Sequence, residues 1–224
     1  MGYSLLIYNF FMKSKQILLI FIPAIALAGF ALFASFIQYQ PKRIVFNDPN
    51  KLESLNIVPI FKEDIIIGNL NSPKTIIAFE DLGCSRCQDQ MKIFDELQNK
   101  YPNKIKIILK TLDVTQFPFP SKEAHQYLFC SNEQNKLNEF KKIILENNEL
   151  DTNSLKSFSQ AVQLNTENLN NCLTSNNTLN LLQKNEDLAI RLDIESVPAI
   201  FIDNKVIQEP LNITGWESLL SLNN

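Results

Sequence analysis

Four short segments of hydrophobic and β-branched residues predict β-strands along the chain. The first covers residues 74–79 and the second covers 104–110, where apolar and polar side chains first alternate and then give way to an apolar run. A third segment lies at 198–202. The turn residues 203–204 separate it from a fourth at 205–207, so these two segments are expected to form a hairpin.

Apolar residues recur at helical spacing in three further places. Directly after the first strand they fall three residues apart, at Met91, Phe94 and Leu97. A long Asn-rich region over about 121–192 has a similar spacing, and the stretch 214–220 predicts a short last helix. The order is therefore strand, helix, strand, helical insert, two strands and a helix, which indicates an α/β fold with a mixed sheet.

Polar residues mark where helices begin within the insert. The stretches 151–154 and 165–167 place capping side chains ahead of apolar residues, as helix starts require. Residues 176–178 are expected to separate two helices. The insert therefore contains several helices.

The amino-terminal part has a different pattern, an uncharged and largely apolar run over residues 17–37. A helix that crosses a bilayer needs about 20 such residues, and Lys13 and Lys15 ahead of the run favour a cytoplasmic start. A cleavable signal peptide is the alternative, but its apolar stretch is shorter and its cleavage site should follow the run. We expect an uncleaved membrane anchor, or else a signal sequence, within residues 1–38.

The exported remainder divides into a linker and one domain. Residues 39–64 contain three prolines and no sustained period, which predicts a linker. Residues 65–224 carry all the predicted strands and helices that follow, and their length suits a single domain.

Composition excludes several kinds of chemistry. A net charge of −3 gives no electrostatic footprint for nucleic acid. The five glycines lie too far apart for a phosphate-binding loop. His125, the one histidine, cannot form a His-rich metal site, and we assign it no role. The four cysteines remain, so thiol chemistry is the expected kind.

Cys84 and Cys87 form a Cys-x-x-Cys pair between the first strand and the first helix. A sulfur at a helix amino terminus faces free N–H groups that stabilise a thiolate, and Arg86 adds a positive charge nearby. Cys84 is therefore the expected attacking thiol and Cys87 the resolving one. A purely stabilising disulfide, or half of a metal site, is the alternative, but no second close cysteine pair completes a zinc site.

The chain resembles the DsbA-like family of exported thioredoxin-fold thiol–disulfide oxidoreductases. The resemblance is carried by residues 68–73 (GNLNSP), 79–87 (FEDLGCSRC) and 196–202 (SVPAIFI). It implies a thioredoxin-like core with a helical insertion over about 121–192. It also implies that Val197 and Pro198 face the active disulfide and bind substrate backbone, with Pro198 in cis; a proline that merely starts a strand is the alternative.

The resemblance also identifies residues that tune the site. Many relatives have a buried carboxylate six residues before the first cysteine, where this chain has Ala78. Glu80 shares a face with Ala78 on an alternating strand, so it either substitutes for that carboxylate or is a solvated or capping residue. Ser85 and Arg86, between the cysteines, are expected to influence the reduction potential.

Cys130 and Cys172 fall within the insert. Two leftover cysteines in an oxidising compartment most often pair, and some DsbA-like proteins carry a second disulfide in this region. The alternative is two separate buried thiols.

The resemblance implies an enzyme that donates its disulfide to exported proteins as they fold. Its partners would be those reduced or unfolded proteins and a DsbB-like or quinone-linked membrane protein that reoxidises it. No cofactor is expected. The location is the bacterial cell envelope, with the catalytic domain anchored outside the cytoplasm, or secreted or periplasmic after signal cleavage.

Two other functions remain open at this point. On the same fold, electrons could flow the other way, which would make the protein a disulfide reductase or isomerase. An anchored binding or chaperone module, in which the Cys84–Cys87 bond is structural, is the third hypothesis.

Overall fold

The computed structural model describes residues 25–33 and 57–223, and the chain divides into two units, 1–43 and 44–224. In the first unit, residues 25–33 are helical. Within the described ranges, no helix is both long enough and apolar enough to span a membrane. The two ends of the predicted anchor, residues 17–24 and 34–37, and the linker up to residue 56 lie outside those ranges.

The second unit is built on a five-stranded mixed sheet in the order β1-β3-β2-β4-β5. The central strands β2 and β3 are parallel, and the other three pairings are antiparallel. The strands are β1 (Ile65–Gly68), β2 (Lys74–Glu80), β3 (Ile105–Thr111), β4 (Ala199–Ile202) and β5 (Lys205–Ile207). The predicted mixed sheet is confirmed, and it includes one strand, β1, that the sequence pattern does not predict.

Within residues 57–223, seven helices lie between and after these strands, and five of them form the insertion between β3 and β4. They are α1 (Ser85–Lys100), α2 (Lys122–Glu133), α3 (Leu137–Asn147), α4 (Thr152–Ala161), α5 (Thr166–Leu173), α6 (Asn176–Arg191) and α7 (Ile213–Leu220). The predicted helical insert is confirmed. So are the helix starts at Asp151 and Asn165, whose side chains accept hydrogen bonds from the first-turn N–H groups.

One helix boundary in the insert differs from the prediction. Residues 176–178 do not separate two helices, because α6 already begins at Asn176. The break lies at Thr174 and Ser175, and the Ser175 hydroxyl accepts a hydrogen bond from the N–H of Thr178. Ser175 therefore caps the helix that the asparagines then begin.

The sheet buries apolar side chains on both faces. One face carries Ile76, Ala78 and Ile107, which belong to a core cluster with α1, α7 and much of the insert. The other carries a smaller cluster that includes Phe79 and Phe201, whose rings meet edge to face, together with residues of α6. Both clusters hold β2 in place, and the end of β2 leads directly into the Cys-x-x-Cys segment.

Residues 57–64, assigned to the linker by their sequence, pack on the domain. The backbone N–H of Val58 donates to Asn204 Oδ1 at 3.0 Å. Asp64 and Lys110 form a fully buried ion pair at 2.7 Å, and the Lys110 ammonium lies 4.2 Å from the centre of the Phe61 ring. The packed domain therefore starts ahead of the predicted boundary at residue 65; these contacts reach far along the chain and leave no local pattern.

Candidate active site around Cys84 and Cys87

Cys84 lies where the chain leaves β2 and enters α1. It is the N-cap residue of α1, and its Sγ accepts a hydrogen bond from the N–H of Cys87 at 3.4 Å. Its own N–H donates to the carbonyl of Asp81 at 3.1 Å, which closes a tight turn between strand and helix. The sulfur therefore occupies the end of the helix where unpaired N–H groups favour negative charge.

The two thiols of the pair have unlike environments. Cys84 is partly exposed, and a hydrogen bond from the Cys87 thiol, followed by the N–H groups of Cys87 and Arg86, lowers its pKa to about 6 against the opposing effect of burial. Cys87 is fully buried, and its hydrogen bond to Cys84, together with burial and the nearby Glu80 carboxyl, raises its pKa. Cys84 is thus the thiol that ionises near neutral pH and can be reached from outside.

Glu80 is the last residue of β2 and lies fully buried behind the cysteines. Burial, with the negative charges of Cys84, Glu209 and Asp81, raises its pKa well above the ordinary value, and an interaction with the Cys87 thiol opposes this only in part. Neither carboxyl oxygen has another hydrogen-bond partner among the described residues. Glu80 is not solvated, and its carboxyl lies close to the Cys87 thiol.

Val197 and Pro198 lie opposite Cys84, directly ahead of β4. Their peptide bond is cis, and the Cys84 thiol faces the Val197 carbonyl oxygen at 3.8 Å. The loop therefore presents backbone polar groups beside the reactive sulfur, where an extended peptide can pair with them.

The residues between the cysteines face outward. Ser85 is exposed, and the Arg86 side chain is also largely exposed but forms an ion pair with Glu209 from the loop after β5. The side chain of Glu209 is 10% exposed. Sequence reasoning missed Glu209, because 123 positions separate it from Arg86 and no local motif marks it.

Asp81 and His125 form a second buried pair next to this site. The His125 ring nitrogen Nε2 lies 3.2 Å from Asp81 Oδ1, and both side chains are fully buried. Sequence reasoning gave neither residue a function beyond noting their positions. The contact joins the active-site turn to α2 of the insert.

Cys130 and Cys172 are separate from this site. They form a disulfide that links α2 to α5, and both residues are buried in the larger core cluster. The Thr178 hydroxyl lies 3.5 Å from the Cys172 sulfur. Across residues 25–33 and 57–223, no three His, Cys, Asp or Glu side chains are grouped to hold a metal ion.

Comparison with known proteins places this arrangement among thioredoxin-like folds. A family model described as "Thioredoxin" matches residues 61–221. A search of curated proteins finds no match. Among solved structures, the chain is similar to the catalytic domain of Proteus mirabilis ScsC, with 18% identity, a TM-score of 0.62, and coverage of 74% of this chain and 91% of that one.

Two further solved structures are similar to this chain to about the same degree. The thiol-disulfide exchange protein alpha-DsbA2 from Wolbachia pipientis gives 17% identity and a TM-score of 0.62, over 72% of this chain and 87% of that one. A periplasmic thioredoxin-like protein from Salmonella enterica serovar Typhimurium gives 17% identity and a TM-score of 0.60, over 71% and 89%. At these identities the likeness concerns the fold, and the expected thioredoxin-like α/β fold is confirmed.

Proposed function

The chain belongs to the family described as thioredoxin, and from this premise we propose that it is a DsbA-like protein that catalyses thiol–disulfide exchange and acts as an oxidase of exported proteins. The observation that carries the proposal is the asymmetry of the Cys84–Cys87 pair. One sulfur is partly exposed with a pKa lowered to about 6 by hydrogen bonds, whereas the other is fully buried beside Glu80.

In the proposed reaction, the oxidised protein carries a Cys84–Cys87 disulfide. A substrate thiolate attacks the accessible Cys84 sulfur, a substrate–Cys84 disulfide forms, and Cys87 leaves as a thiolate. A second substrate thiolate then attacks the substrate sulfur of that mixed disulfide, and Cys84 leaves. The substrate gains one disulfide and loses two electrons and two protons, and the enzyme gains both as a dithiol.

Glu80 and Cys87 exchange a proton in the first step. Because burial raises the pKa of Glu80 and so favours its protonated form, Glu80 can supply a proton to the departing Cys87 thiolate, whose own raised pKa favours the neutral thiol. Val197 contributes its backbone carbonyl near Cys84, where an extended substrate segment would lie along the Val197–Pro198 loop. These three residues come from different parts of the domain: Glu80 from β2, Cys87 from α1, and Val197 from the loop ahead of β4.

The stabilised Cys84 thiolate supports electron flow from the substrate to this protein. A low thiol pKa stabilises the reduced form relative to the disulfide, which makes the disulfide an oxidant. Reoxidation then requires a membrane partner that removes two electrons, a DsbB-like protein or another quinone-linked one.

The reduction potential of the Cys84–Cys87 pair tests the proposed direction of electron flow. After equilibration with glutathione buffers, we expect the Cys84–Cys87 pair to titrate at a potential less negative than the reducing value of about −270 mV, on the side of the oxidising value of about −120 mV. In parallel, ultraviolet thiolate absorbance should rise with a midpoint at a pH of about 6. Cys84→Ser, which keeps Cys87, serves as the control that assigns the signal to Cys84.

The alternatives predict different results in the same two measurements. A potential near that of a reductant would assign the protein to disulfide reduction or isomerisation instead. An ordinary Cys84 pKa, combined with a disulfide that resists mild reductant, would assign it to the binding-module class.

The proposed location is the bacterial cell envelope. The apolar run over residues 17–37 supports export with a retained anchor or a cleaved signal, and a structural relative described as periplasmic agrees with export. Fractionation of cells that express the full chain tests this: a protein that stays with the membrane at the full length of 224 residues supports the anchor.

A further inference from the structure

The Asp81 carboxylate is the centre of a buried hydrogen-bond network beside Cys84. Its Oδ1 accepts from the N–H of Gly83 at 2.9 Å, and its Oδ2 accepts from the N–H groups of Val114 and Thr115 at 3.0 and 2.6 Å. Its backbone carbonyl accepts from the N–H of Cys84. One residue therefore ties the turn that carries the reactive sulfur to the loop after β3.

The turn and that loop lie so close together that position 83 has no space for a side chain. A Cβ atom added to Gly83 would lie 2.6 Å from the side chain of Thr115, closer than real Cβ atoms approach. The absence of a side chain at Gly83 thus lets the loop reach Asp81 with two N–H groups.

His125 completes the network from α2 of the insert. Its Nε2 lies 3.2 Å from Asp81 Oδ1 and 3.1 Å from the carbonyl oxygen of Leu112. Both of those oxygens can only accept, so Nε2 carries the hydrogen. The other ring nitrogen, Nδ1, is buried and has no hydrogen-bond partner among the described residues.

The Nδ1 of His125, unpartnered among the described residues, is energetically unfavourable, so packing alone does not explain a histidine at this position. A buried polar atom without a partner is unfavourable, and an apolar side chain in place of His125 would avoid it. What the imidazole provides is its contact with Asp81. Burial on its own would raise the pKa of Asp81, but the hydrogen bond from His125, with the Gly83 N–H and the Ser121 hydroxyl, holds it well below the usual range.

The charge of Asp81 matters to the nearby sulfur. Asp81 lies three residues before Cys84, and its negative charge acts to raise the pKa of that thiol. A carboxylate whose oxygens are occupied by His125 and three N–H groups has a fixed position and a partly compensated charge.

We propose that Asp81 and His125 are positioning residues for Cys84: the imidazole holds the carboxylate, and the carboxylate holds the turn and the loop around the reactive sulfur. The inference rests on the proposed function in treating Cys84 as the reacting thiol. It goes beyond that function in making the helical insert, through α2, a determinant of Cys84 reactivity.

Replacement of His125 separates its hydrogen bond from its volume. His125→Phe keeps a ring but removes the donor, whereas His125→Gln retains an amide N–H able to reach Asp81. In the reduced full-length protein, we would measure the rate at which iodoacetamide alkylates Cys84 from pH 5 to pH 8. At pH 5, His125→Phe should slow alkylation by about three- to tenfold, since the thiolate fraction falls tenfold for each unit of pKa increase. His125→Gln should stay within about twofold of the parent protein.

A matched control addresses loss of stability. Leu128→Ala removes a fully buried side chain from the same helix. If it slows alkylation as much as His125→Phe does at equal loss of stability, or if His125→Phe folds and reacts like the parent protein, the proposal is wrong.

A measurement on the unmodified protein keeps the proposal testable if His125→Phe does not fold. Because the sequence has one histidine, its ring nitrogen resonances are assigned without ambiguity. We expect the hydrogen on Nε2 and a change in both ring shifts when the Cys84–Cys87 pair is oxidised; identical shifts in the two states would overturn the coupling. Neither readout uses a protein substrate, so both remain valid if the pair does not act as an oxidase.

Discussion

The two cysteine pairs of this chain consist of the same residue type but have different surroundings. Cys84 and Cys87 are three positions apart at the start of α1, and one of the two sulfurs is partly exposed. Cys130 and Cys172 are 42 positions apart and join two helices inside the core. The comparison indicates that the surroundings of two cysteines, and not the residue type, decide whether the pair is suited to thiol exchange or to stabilising the fold.

The two pairs differ in the length of chain that each disulfide closes and in how well the surroundings stabilise a thiolate. Closing a loop of 42 residues restricts the unfolded chain considerably, while closing one of three residues at a helix start restricts it little. Conversely, helix N–H groups and a neighbouring thiol stabilise charge on Cys84, whereas Cys130 and Cys172 are buried between helices where a thiolate would be unfavourable.

The largest expected effect comes from removing the reactive sulfur. Cys84→Ser should reduce both insulin reduction and peptide oxidation to the uncatalysed background, because a thiolate and not a hydroxyl is the nucleophile and leaving group. The same assays on Cys130→Ala with Cys172→Ala should give nearly the parent activity. Substantial activity in Cys84→Ser, or its loss in the core double variant, would reverse the assignment of the two pairs.

The second effect concerns stability. Cys130→Ala with Cys172→Ala should lower the free energy of unfolding by about 3–4 kcal/mol, a factor of more than about a hundred in the equilibrium constant, on the loop-entropy account. Urea unfolding of both proteins in the absence of reductant measures it. As the comparison, Cys84→Ala with Cys87→Ala should change the free energy far less; equal losses would mean that both disulfides are structural.

A smaller effect should follow from neutralising Glu80. Glu80→Gln keeps the shape but cannot give a proton to Cys87, so release of Cys87 should slow by about tenfold or more. Stopped-flow fluorescence with a reduced peptide would measure that step, with Asp89→Asn on the exposed side of α1 as the control. A rate equal to that of the parent protein would exclude Glu80 from proton transfer.

The same variant has a defined effect on stability. Because the folded pKa of Glu80 is raised, its contribution to stability is complete below the unfolded value and is lost as pH rises through the folded one. Glu80→Gln should therefore be more stable than the parent protein near neutral pH, and this gain should disappear below about pH 4.

Local patterns were enough to predict much of the fold. Strands β2 to β5 and helix α7 lie within one or two residues of their predicted positions, and α1 contains the predicted apolar spacing, because alternation and helical spacing are properties of adjacent residues. The Cys84–Cys87 segment was placed at the strand-to-helix junction for the same reason. The break before α6 was misplaced by about two residues, since Ser175 and the asparagines after it are all capable caps.

Long-range contacts account for the remainder. Glu209 next to Arg86, His125 next to Asp81 and Asp64 next to Lys110 are separated by 123, 44 and 46 positions. No periodicity predicts which polar residue of the insert reaches which turn of the core. Such pairs become visible only when the sheet brings their elements together.

The buried Asp64–Lys110 pair determines where this chain can be cut. Lys110 lies in β3 with no exposed side-chain surface, and Asp64 is its counter-ion. A fragment that begins at residue 65 would leave that ammonium group buried alone, which costs about 3–5 kcal/mol. A recombinant fragment, or a protease that frees the domain from its amino-terminal segment, must therefore keep Asp64 and the residues from Val58 onward for the product to stay folded.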